Sequence, residues 1–172
     1  MPDDSLTITA QELTASAWAP FGWLPRADTD PRDGDDTLHF EWADAHLNTI
    51  EHTSDEVEYG ADGLHCAVMF RHDTHTQALT PLDTRSVLAV APASVDFSSP
   101  ADAGAVHAFV VEPGETLVLH RGTWHWGPFP LPPATSVRLL NVQGRRYADD
   151  NTSVDVTGRT GRVVMVVNRS SR

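Results

Sequence analysis

Histidine is frequent in this chain, which contains nine among its 172 residues. Four of the nine fall in two short segments, and they are His72, His75, His120 and His125. Imidazole titrates close to neutral pH, so it serves both as a proton shuttle and as a metal ligand. Three imidazoles, or two imidazoles and an amide oxygen, can hold a divalent metal and leave positions open for substrate.

The best candidate set for a metal or an acid–base site is His75, Gln77 and His125. Side chains alternate along a strand, so His75 and Gln77 share one face if their segment is extended. His72 joins them only if the chain bends at positions 73 and 74. Because the amide of Gln77 is neutral, we expect a divalent ion to bind more weakly here than beside a carboxylate. The metal is left open; a nucleotide cofactor is not expected, because the chain has no glycine-rich phosphate loop.

The second histidine segment predicts a strand, a turn and another strand. Residues 116–119 are apolar or β-branched, which favours a buried strand, and Gly122 permits a tight turn. Trp124, His125 and Trp126 then alternate across the next strand, so His125 should face away from both tryptophans. This arrangement predicts a packed wall with a reactive imidazole on its open side.

The spacing of Gly114, Gly122 and His125 is similar to the second sequence motif of the cupins. His120 stands where cupins usually carry proline. In that superfamily the histidine points into a β-barrel, commonly onto a metal. Gln77 stands near the place of the glutamate in the first cupin motif.

The whole chain, residues 1–172, reads as one mainly β domain that begins with a short helix. The helix should begin at a capping box formed by Thr9 and Glu12 and end before Pro20. Residues 28–36 read as a loop. About ten strands follow, with turns between them, which indicates a barrel or a sandwich. The principal predicted strands are residues 38–42, 64–70, 86–91, 106–111, 116–119, 136–142, 154–156 and 162–167.

Composition excludes several classes of function. The net charge of −12 should repel nucleic acid and anionic membranes. All twelve basic residues are arginine, so a lysine Schiff base is excluded. Cys66 is the single cysteine and lies in an apolar run, which predicts a buried thiol and no disulfide within the chain. With no signal peptide and no apolar run near the ~20 residues of a membrane span, we predict a cytoplasmic protein.

The polar residues 49–59 contain three glutamates, which are Glu51, Glu56 and Glu58. We interpret them as a solvated strand face, and the alternative is that one of them supplies a carboxylate to the site. Arg71 and Arg138 are the candidates for a two-pronged contact with a substrate carboxylate. The alternative for each arginine is an ion pair on the surface.

Several of these residues resemble the signatures of the ureidoglycolate lyases. Arg71 and His72, followed by Gln77 and then Pro81, are similar to the first signature of that family. The second signature, which ends in tryptophan and histidine, is matched at residues 122–125. Residues 19–22 match the usual entry after the first helix, so the resemblance covers most of the chain.

The resemblance implies a cupin-like β-barrel of the double-stranded β-helix or jelly-roll type, assembled as a homodimer. The implied reaction splits ureidoglycolate into glyoxylate and urea during purine catabolism and allantoin degradation. His125 or His75 would serve as base and acid with Gln77 beside them, and either a divalent metal held by these three or an arginine would hold the carboxylate and hydroxyl of the substrate. The substrate is a small carboxylate, and the residues expected to bind it are Arg71, His72, Arg138 and Trp124.

The chain also departs from the family at polar positions. Phe70 stands where a glutamate is common, Trp126 where a second histidine is common, and Val142-Gln143 where the family has aspartate and arginine. The sequence therefore leaves open a different small 2-hydroxy or 2-oxo acid as substrate. It also leaves open another metal-dependent cupin enzyme, such as an isomerase or dioxygenase, and a cupin-like binding protein without catalysis.

Overall fold

The computed structural model of the protein describes residues 4–27, 36–42, 44–60 and 63–168. Short strands dominate these residues, with two short α-helices, α1 (Ala15–Trp18) and α2 (Val156–Thr160), and 3-10 turns at Ser54–Glu56 and Pro100–Ala105. The strands in this part of the chain are β1 (Ser5–Thr9), β2 (Gln11–Glu12), β3 (Gly22–Trp23), β4 (Ala45–Thr53), β5 (Tyr59–Gly60), β6 (Gly63–His65), β7 (Val68–Arg71), β8 (Gln77–Pro81), β9 (Ser86–Ala91), β10 (His107–Val111), β11 (Leu117–Leu119), β12 (Trp124–Pro130), β13 (Ser136–Gly144), β14 (Thr152–Asp155) and β15 (Val163–Val167).

The strands form three sheets that are not closed into a barrel. The six-stranded sheet has the order β14-β7-β12-β9-β10-β2, and the five-stranded sheet has the order β3-β11-β8-β13-β4. A four-stranded sheet, β1-β15-β6-β5, lies beside them in the fold. The predicted mainly β, cupin-like fold with a short N-terminal helix is confirmed, in the form of a sandwich.

Strand β9 explains how the layers are packed, because it is buried on both faces. Val87 and Ala89 belong to one hydrophobic cluster, which also contains residues of β7 and β15. Leu88, one position along, belongs to a second cluster, where it joins Leu79 of β8 and Leu117 of β11. Successive side chains of a strand point to opposite faces, so a continuous apolar run is suited to this central position. The second cluster thus fills the space between the six-stranded and five-stranded sheets.

The N-terminal helix is shorter than predicted and begins later. Thr9 is the last residue of β1, which pairs in parallel with β15, so the predicted capping box at Thr9 is wrong. The half-buried side chains of Leu6 and Ile8 pack on the hydrophobic core, which favours a strand over a helix here. Thr14 is the actual N-cap, and its hydroxyl accepts a hydrogen bond from the backbone N–H of Ala17.

Three other predicted segments need correction. Residues 38–42 form no strand, and Phe40 makes only an isolated bridge with His75. The predicted strand at residues 64–70 is divided at Cys66, because the chain leaves the four-stranded sheet there and joins the six-stranded one. The last part of residues 154–156 begins α2, where the carboxylate of Asp155 caps the helix by accepting from the N–H of Gly158. Most of the predicted loop at 28–36 lies outside the described residues.

The other strand predictions are confirmed within one or two residues at 86–91, 106–111, 116–119 and 162–167, and residues 136–142 extend to 144. Cys66 is fully buried, as predicted, and burial raises the pKa of its thiol. None of the helices in the described part of the chain is long and apolar enough to cross a membrane.

The approach of β3 to β11 depends on a glycine. The indole Nε1 of buried Trp18 donates a hydrogen bond of 2.9 Å to the carbonyl oxygen of Val118. A Cβ atom on Gly22 would lie 1.7 Å from the same oxygen. The obstacle is backbone that is itself part of a sheet, so it cannot move aside cheaply.

We therefore expect Gly22→Ala to lower the free energy of unfolding by at least about 2 kcal/mol. The matched control is Gly104→Ala, because a Cβ there would meet no atom within 4 Å. The control should change stability by no more than about 0.5 kcal/mol. Urea denaturation of the three proteins measures both values, and equal stability of the two variants would contradict the packing described for β3.

Candidate active site

A cavity of about 680 Å³ opens inside the fold and reaches strands of the two larger sheets. Its polar end is formed by His72, Gln77, His125 and Gln143. Apolar side chains form much of the rest, among them Phe129. A volume of this size is typical of ligand sites. Polar and apolar side chains share the lining.

The structure brings three histidines together at the polar end. The rings of His72 and His75 are stacked, with centroids 4.5 Å apart and planes at 22°. The ring of His125 lies 5.3 Å from that of His72. All three side chains are buried, and with Gln77 they surround a small void behind the main cavity. The candidates His75, Gln77 and His125 are therefore neighbours. The chain bends at 73–74, which was the condition for His72 to join them, and His72 lies in the same group.

Asp150 holds the bend in place. Its carboxylate accepts hydrogen bonds from the backbone N–H of Asp73 at 2.9 Å and of Thr74 at 2.8 Å. The hydroxyl of Thr74 donates to the same carboxylate. The backbone carbonyl of Asp150 accepts a hydrogen bond from Nδ1 of His72. These bonds lower the pKa of Asp150, although its burial acts in the opposite direction.

Strand β12 positions His125 between β7 and β9, opposite Phe70 and Val90. Trp124 and Trp126 belong to the hydrophobic core, and Trp126 also reaches the cavity wall. The Nδ1 atom of His125 lies 3.2 Å from the carbonyl oxygen of Thr123. A carbonyl can only accept, so this Nδ1 carries the hydrogen and the Nε2 atom of the neutral ring keeps its lone pair.

The buried imidazoles are neutral at pH 7. Burial, together with the nearby His72, lowers the pKa of His125 to about 3. Burial also lowers the pKa of His75 to about 4, partly offset by Asp150, and it lowers the pKa of His72. The Nδ1 atom of His72 donates to a carbonyl as that of His125 does, so its Nε2 is likewise unprotonated. The site presents unprotonated ring nitrogens and no positive charge from these rings.

An amide network fixes the orientation of Gln77. Its Nε2 donates to Oδ1 of Asn141 at 2.9 Å and to Oε1 of Gln143 at 3.2 Å. Asn141 in turn donates to Oδ1 of Asn48 at 2.7 Å. Both hydrogens of the Gln77 amide are therefore used, while its buried Oε1 has no hydrogen-bond partner among the described residues. An unpaired buried acceptor is costly, so this oxygen is suited to accept a hydrogen bond from a ligand or to bind a metal ion.

The same reasoning applies to His75, whose two ring nitrogens have no hydrogen-bond partner among the residues that the structure describes. Its Nδ1 lies 3.4 Å from a carboxylate oxygen of Asp150. Ligand atoms of His72, His75 and Asp150 lie within 4.8 Å of one another, so this group could hold a metal ion. The carboxylate of Asp150 already accepts three hydrogen bonds, which suits it to orienting the histidines.

The predicted substrate-binding residues other than His72 do not line the main cavity. The guanidinium of Arg71 lies over the ring of Trp124, at 4.6 Å from its centroid, and its Nε is 3.3 Å from Asp73. Arg138 is exposed and pairs with Asp83 at 2.9 Å. The indole of Trp124 donates to the carbonyl of Val95. The alternative reading of both arginines as ion-paired side chains matches these contacts.

Sequence reasoning did not identify two histidine–carboxylate pairs in the cavity wall. His52 donates from Nδ1 to Glu56 at 3.1 Å, and His65 donates from Nδ1 to Glu58 at 3.3 Å. All four residues line the cavity. The alternation along β4, which turns Asn48, Ile50 and His52 inward, was the available signal.

The family departures also cluster at the cavity. Phe70, Trp126 and Gln143 all contribute to its lining, whereas Val142 does not. Each of these three residues is apolar or neutral where the resemblance implied a charged or titrating side chain.

Comparison with known proteins identifies one family. A family model described as ureidoglycolate lyase matches residues 5–155, which include the whole histidine cluster and the cavity lining. No curated protein matches the chain.

The depressed histidine pKa values predict how stability depends on pH in metal-free protein. An unfolded histidine titrates near 6.5, whereas His125 and His75 in the fold titrate at about 3 and about 4. The contribution of the two neutral rings to the free energy of unfolding is therefore complete above pH 6.5. It is lost as the pH falls, by about 1.5 kcal/mol for each histidine between pH 6.5 and pH 5. Urea denaturation after chelator treatment measures this loss.

His125→Gln should reduce the loss of unfolding free energy between pH 6.5 and pH 5 by about 1.5 kcal/mol, because one proton fewer is taken up on unfolding. His107→Gln is the matched control, since His107 is exposed. An unchanged pH dependence in His125→Gln would contradict a neutral buried ring at this position.

Proposed function

Because the chain belongs to the ureidoglycolate lyase family, we propose that it is a carbon–nitrogen lyase acting on ureidoglycolate or a related small 2-hydroxy or 2-oxo acid. The products from ureidoglycolate are glyoxylate and urea. The observation that carries the proposal is the polar end of the cavity. There, the neutral rings of His72 and His125 keep unprotonated Nε2 atoms near the unpaired oxygen of Gln77.

The reaction needs one proton removed and one proton delivered. A base takes the proton of the hydroxyl on the carbinol carbon, the carbon–oxygen bond becomes a carbonyl, and the carbon–nitrogen bond breaks. The departing urea nitrogen receives a proton, so the step is balanced without an oxidant. We assign the base to Nε2 of His125, with His75 and His72 as the imidazoles next to it. Because burial disfavours the charged ring, His125 does not retain the proton. The proton passes on to the departing urea nitrogen.

Gln77 suits the leaving group. Its Oε1 is a fixed acceptor, since both amide hydrogens are held by Asn141 and Gln143. An N–H of the ureido group could donate to it, which would orient the carbon–nitrogen bond towards the histidines. Holding the reacting atoms in this geometry lowers the entropic part of the barrier.

A divalent metal is compatible with the atoms left without partners. His75, Gln77 and His125 are the ligands that we propose, with the group of His72, His75 and Asp150 as the alternative set. The first set is an alternative to His125 as the base, because its Nε2 would then bind the ion. When bound, such an ion would polarise the hydroxyl and carboxylate oxygens of the substrate. The second ligand set also favours another metal-dependent cupin enzyme, an isomerase or a dioxygenase, as the runner-up. A cupin-like protein that binds a ligand without turnover is the third possibility.

The resemblance further leads us to propose a homodimer in the cytoplasm. Strand β4 is an edge strand of nine residues with Leu47 exposed on its outer face, and could take part in the contact between subunits. Light scattering that finds a monomer would remove the dimer from the proposal.

Wild-type protein should release glyoxylate from ureidoglycolate, and His125→Ala should reduce kcat/KM by at least about 100-fold, because the variant lacks the base. His107→Ala changes an exposed histidine outside the cavity and is the matched control. A coupled glyoxylate assay measures turnover, and metal content is determined on the same sample. An active His125→Ala variant would remove this residue from the mechanism, and inactive wild type would move the proposal to a binding protein or another enzyme.

Gln77→Glu should raise the affinity for a divalent metal at least about tenfold, because a carboxylate oxygen replaces a neutral amide oxygen. Competition with a chromophoric chelator measures this affinity without reference to activity. Gln11→Glu adds the same charge at an exposed position and serves as the control. Equal affinities for the two variants would show that Gln77 is not a metal ligand.

A further inference from the structure

A histidine–carboxylate pair lines the cavity outside its polar end. The alternation of β4 turns His52 inward, and Glu56 follows in the 3-10 turn after that strand. Nδ1 of His52 donates a hydrogen bond of 3.1 Å to Oε2 of Glu56. The second carboxylate oxygen, Oε1, accepts from the backbone N–H of Thr53 at 2.7 Å. Glu56 is thereby attached to the backbone and holds one edge of the imidazole in place.

The contacts of the His52 ring leave its Nε2 atom for a ligand. The ring lies against that of Phe129, with centroids 5.0 Å apart and planes at 59°. Glu56 occupies Nδ1, whereas no hydrogen bond joins Nε2 to another residue in the part of the chain that the structure describes. The side chain is partly buried and lines the cavity, so a molecule inside the cavity is the partner that Nε2 can bind.

The other histidine–carboxylate pair of the lining is built differently. Nδ1 of His65 donates to Glu58 at 3.3 Å, and its Nε2 lies 3.1 Å from the hydroxyl of Thr157 in α2. Both ring nitrogens of His65 are therefore used within the protein. This pair connects β6 to α2, whereas His52 keeps a nitrogen that the fold does not use.

Glu56 suits His52 to bind an anion. Against its partial burial, the hydrogen bonds from Thr53 and His52 lower the pKa of Glu56, so its carboxylate is ionised at neutral pH. An ionised carboxylate at Nδ1 favours the imidazolium form of the ring, and only that form also carries a hydrogen on Nε2. A second carboxylate at Nε2 favours the same form. The other titrating groups around the ring are His125, which interacts electrostatically with His52, and the pair of His65 and Glu58 in the same lining.

The carboxylate of the proposed substrate has few other partners in this cavity. No arginine lines it within the described residues, and the sequence contains no lysine. The proposed reaction places the hydroxyl at Nε2 of His125 and the ureido group at Oε1 of Gln77. The carboxylate is the third polar substituent of the same carbon. Since His52 lines the cavity with these two residues and interacts electrostatically with His125, it is suited to receive that substituent.

We propose that His52 binds the carboxylate of the substrate through Nε2, in an orientation fixed by Glu56. The inference rests on the proposed lyase function, because it takes the hydroxyl at His125 and the ureido group at Gln77 as given. The three polar substituents of the carbinol carbon then meet three different side chains. The cavity therefore selects an acid over the corresponding neutral amide.

Binding of ureidoacetate, a stable analogue without the hydroxyl, and of its primary amide tests the assignment. Both are titrated calorimetrically into the purified full-length protein at pH 6.5. Wild type should bind the acid at least about tenfold more tightly than the amide, because the acid gains a charge-assisted hydrogen bond. His52→Gln should abolish this preference by weakening the acid. His107→Gln changes an exposed histidine outside the lining and should behave as wild type.

Two results of these titrations would overturn the assignment. One is a wild-type protein that binds the amide as tightly as the acid, or that binds neither. The other is an acid preference that survives in His52→Gln, because the carboxylate would then lie on another group, such as an ion held at the polar end.

A second variant separates a cationic donor from a merely structural side chain. His52→Arg places a permanent cation at the same position and should keep the acid preference. The wild-type preference should weaken between pH 6 and pH 8.5, because imidazole titrates in this range, whereas that of His52→Arg should not. A folded His52→Arg protein that behaves like His52→Gln would contradict the proposed contact. Thermal melting checks the fold, and the comparison of wild type with His52→Gln decides the question if the arginine variant is unfolded.

Turnover of ureidoglycolate separates a failure of this inference from a failure of the lyase. His52→Gln should raise KM at least about tenfold and lower kcat by no more than about threefold, because His52 binds a group that does not react. An unchanged KM overturns the inference and keeps the lyase. Wild type that prefers ureidoacetate through His52 but releases no glyoxylate overturns the lyase and keeps the carboxylate site.

Discussion

The carboxylate of Asp150 is the contact on which the candidate active site depends. It accepts hydrogen bonds from the backbone N–H groups of Asp73 and Thr74. The backbone carbonyl of the same residue accepts a hydrogen bond from His72. These bonds tie the bend before β8 to the turn that follows β13. The bend in turn brings His72 and His75 against each other and places Gln77 at the start of β8. Without this attachment, nothing in the local sequence would hold two imidazoles in a stack, because the segment is short and polar.

The consequence of the arrangement is a site of neutral imidazoles with unprotonated ring nitrogens. Burial keeps the imidazoles of His75 and His125 neutral, and hydrogen bonds to carbonyls fix which ring nitrogen of His72 and His125 carries the proton. Such rings can take up a proton transiently or bind a metal ion. This protonation state is the one that the proposed proton transfer requires.

The sequence was a good guide where local pattern and tertiary structure agree. The apolar run of β9 and the alternation around His125 predicted their strands, and the histidine spacing identified members of the cluster. It failed where tertiary contacts override the pattern. Pairing with β15 makes Thr9 the end of a strand, and a change of sheet divides the apolar run at Cys66. Asp150 could not have been selected in advance, because its partners lie more than seventy positions away.

The protonation state of the histidine cluster is the most direct test of this account. Nitrogen-15 NMR of the metal-free protein at pH 7.5, with resonances assigned through single His→Gln variants, reports which ring nitrogen carries hydrogen. The account predicts neutral rings for His72 and His125, each protonated at Nδ1 and unprotonated at Nε2, with no change down to pH 5 for His125. An imidazolium signal for His125 at pH 7.5, or a proton on its Nε2, would contradict the base that the proposed reaction requires.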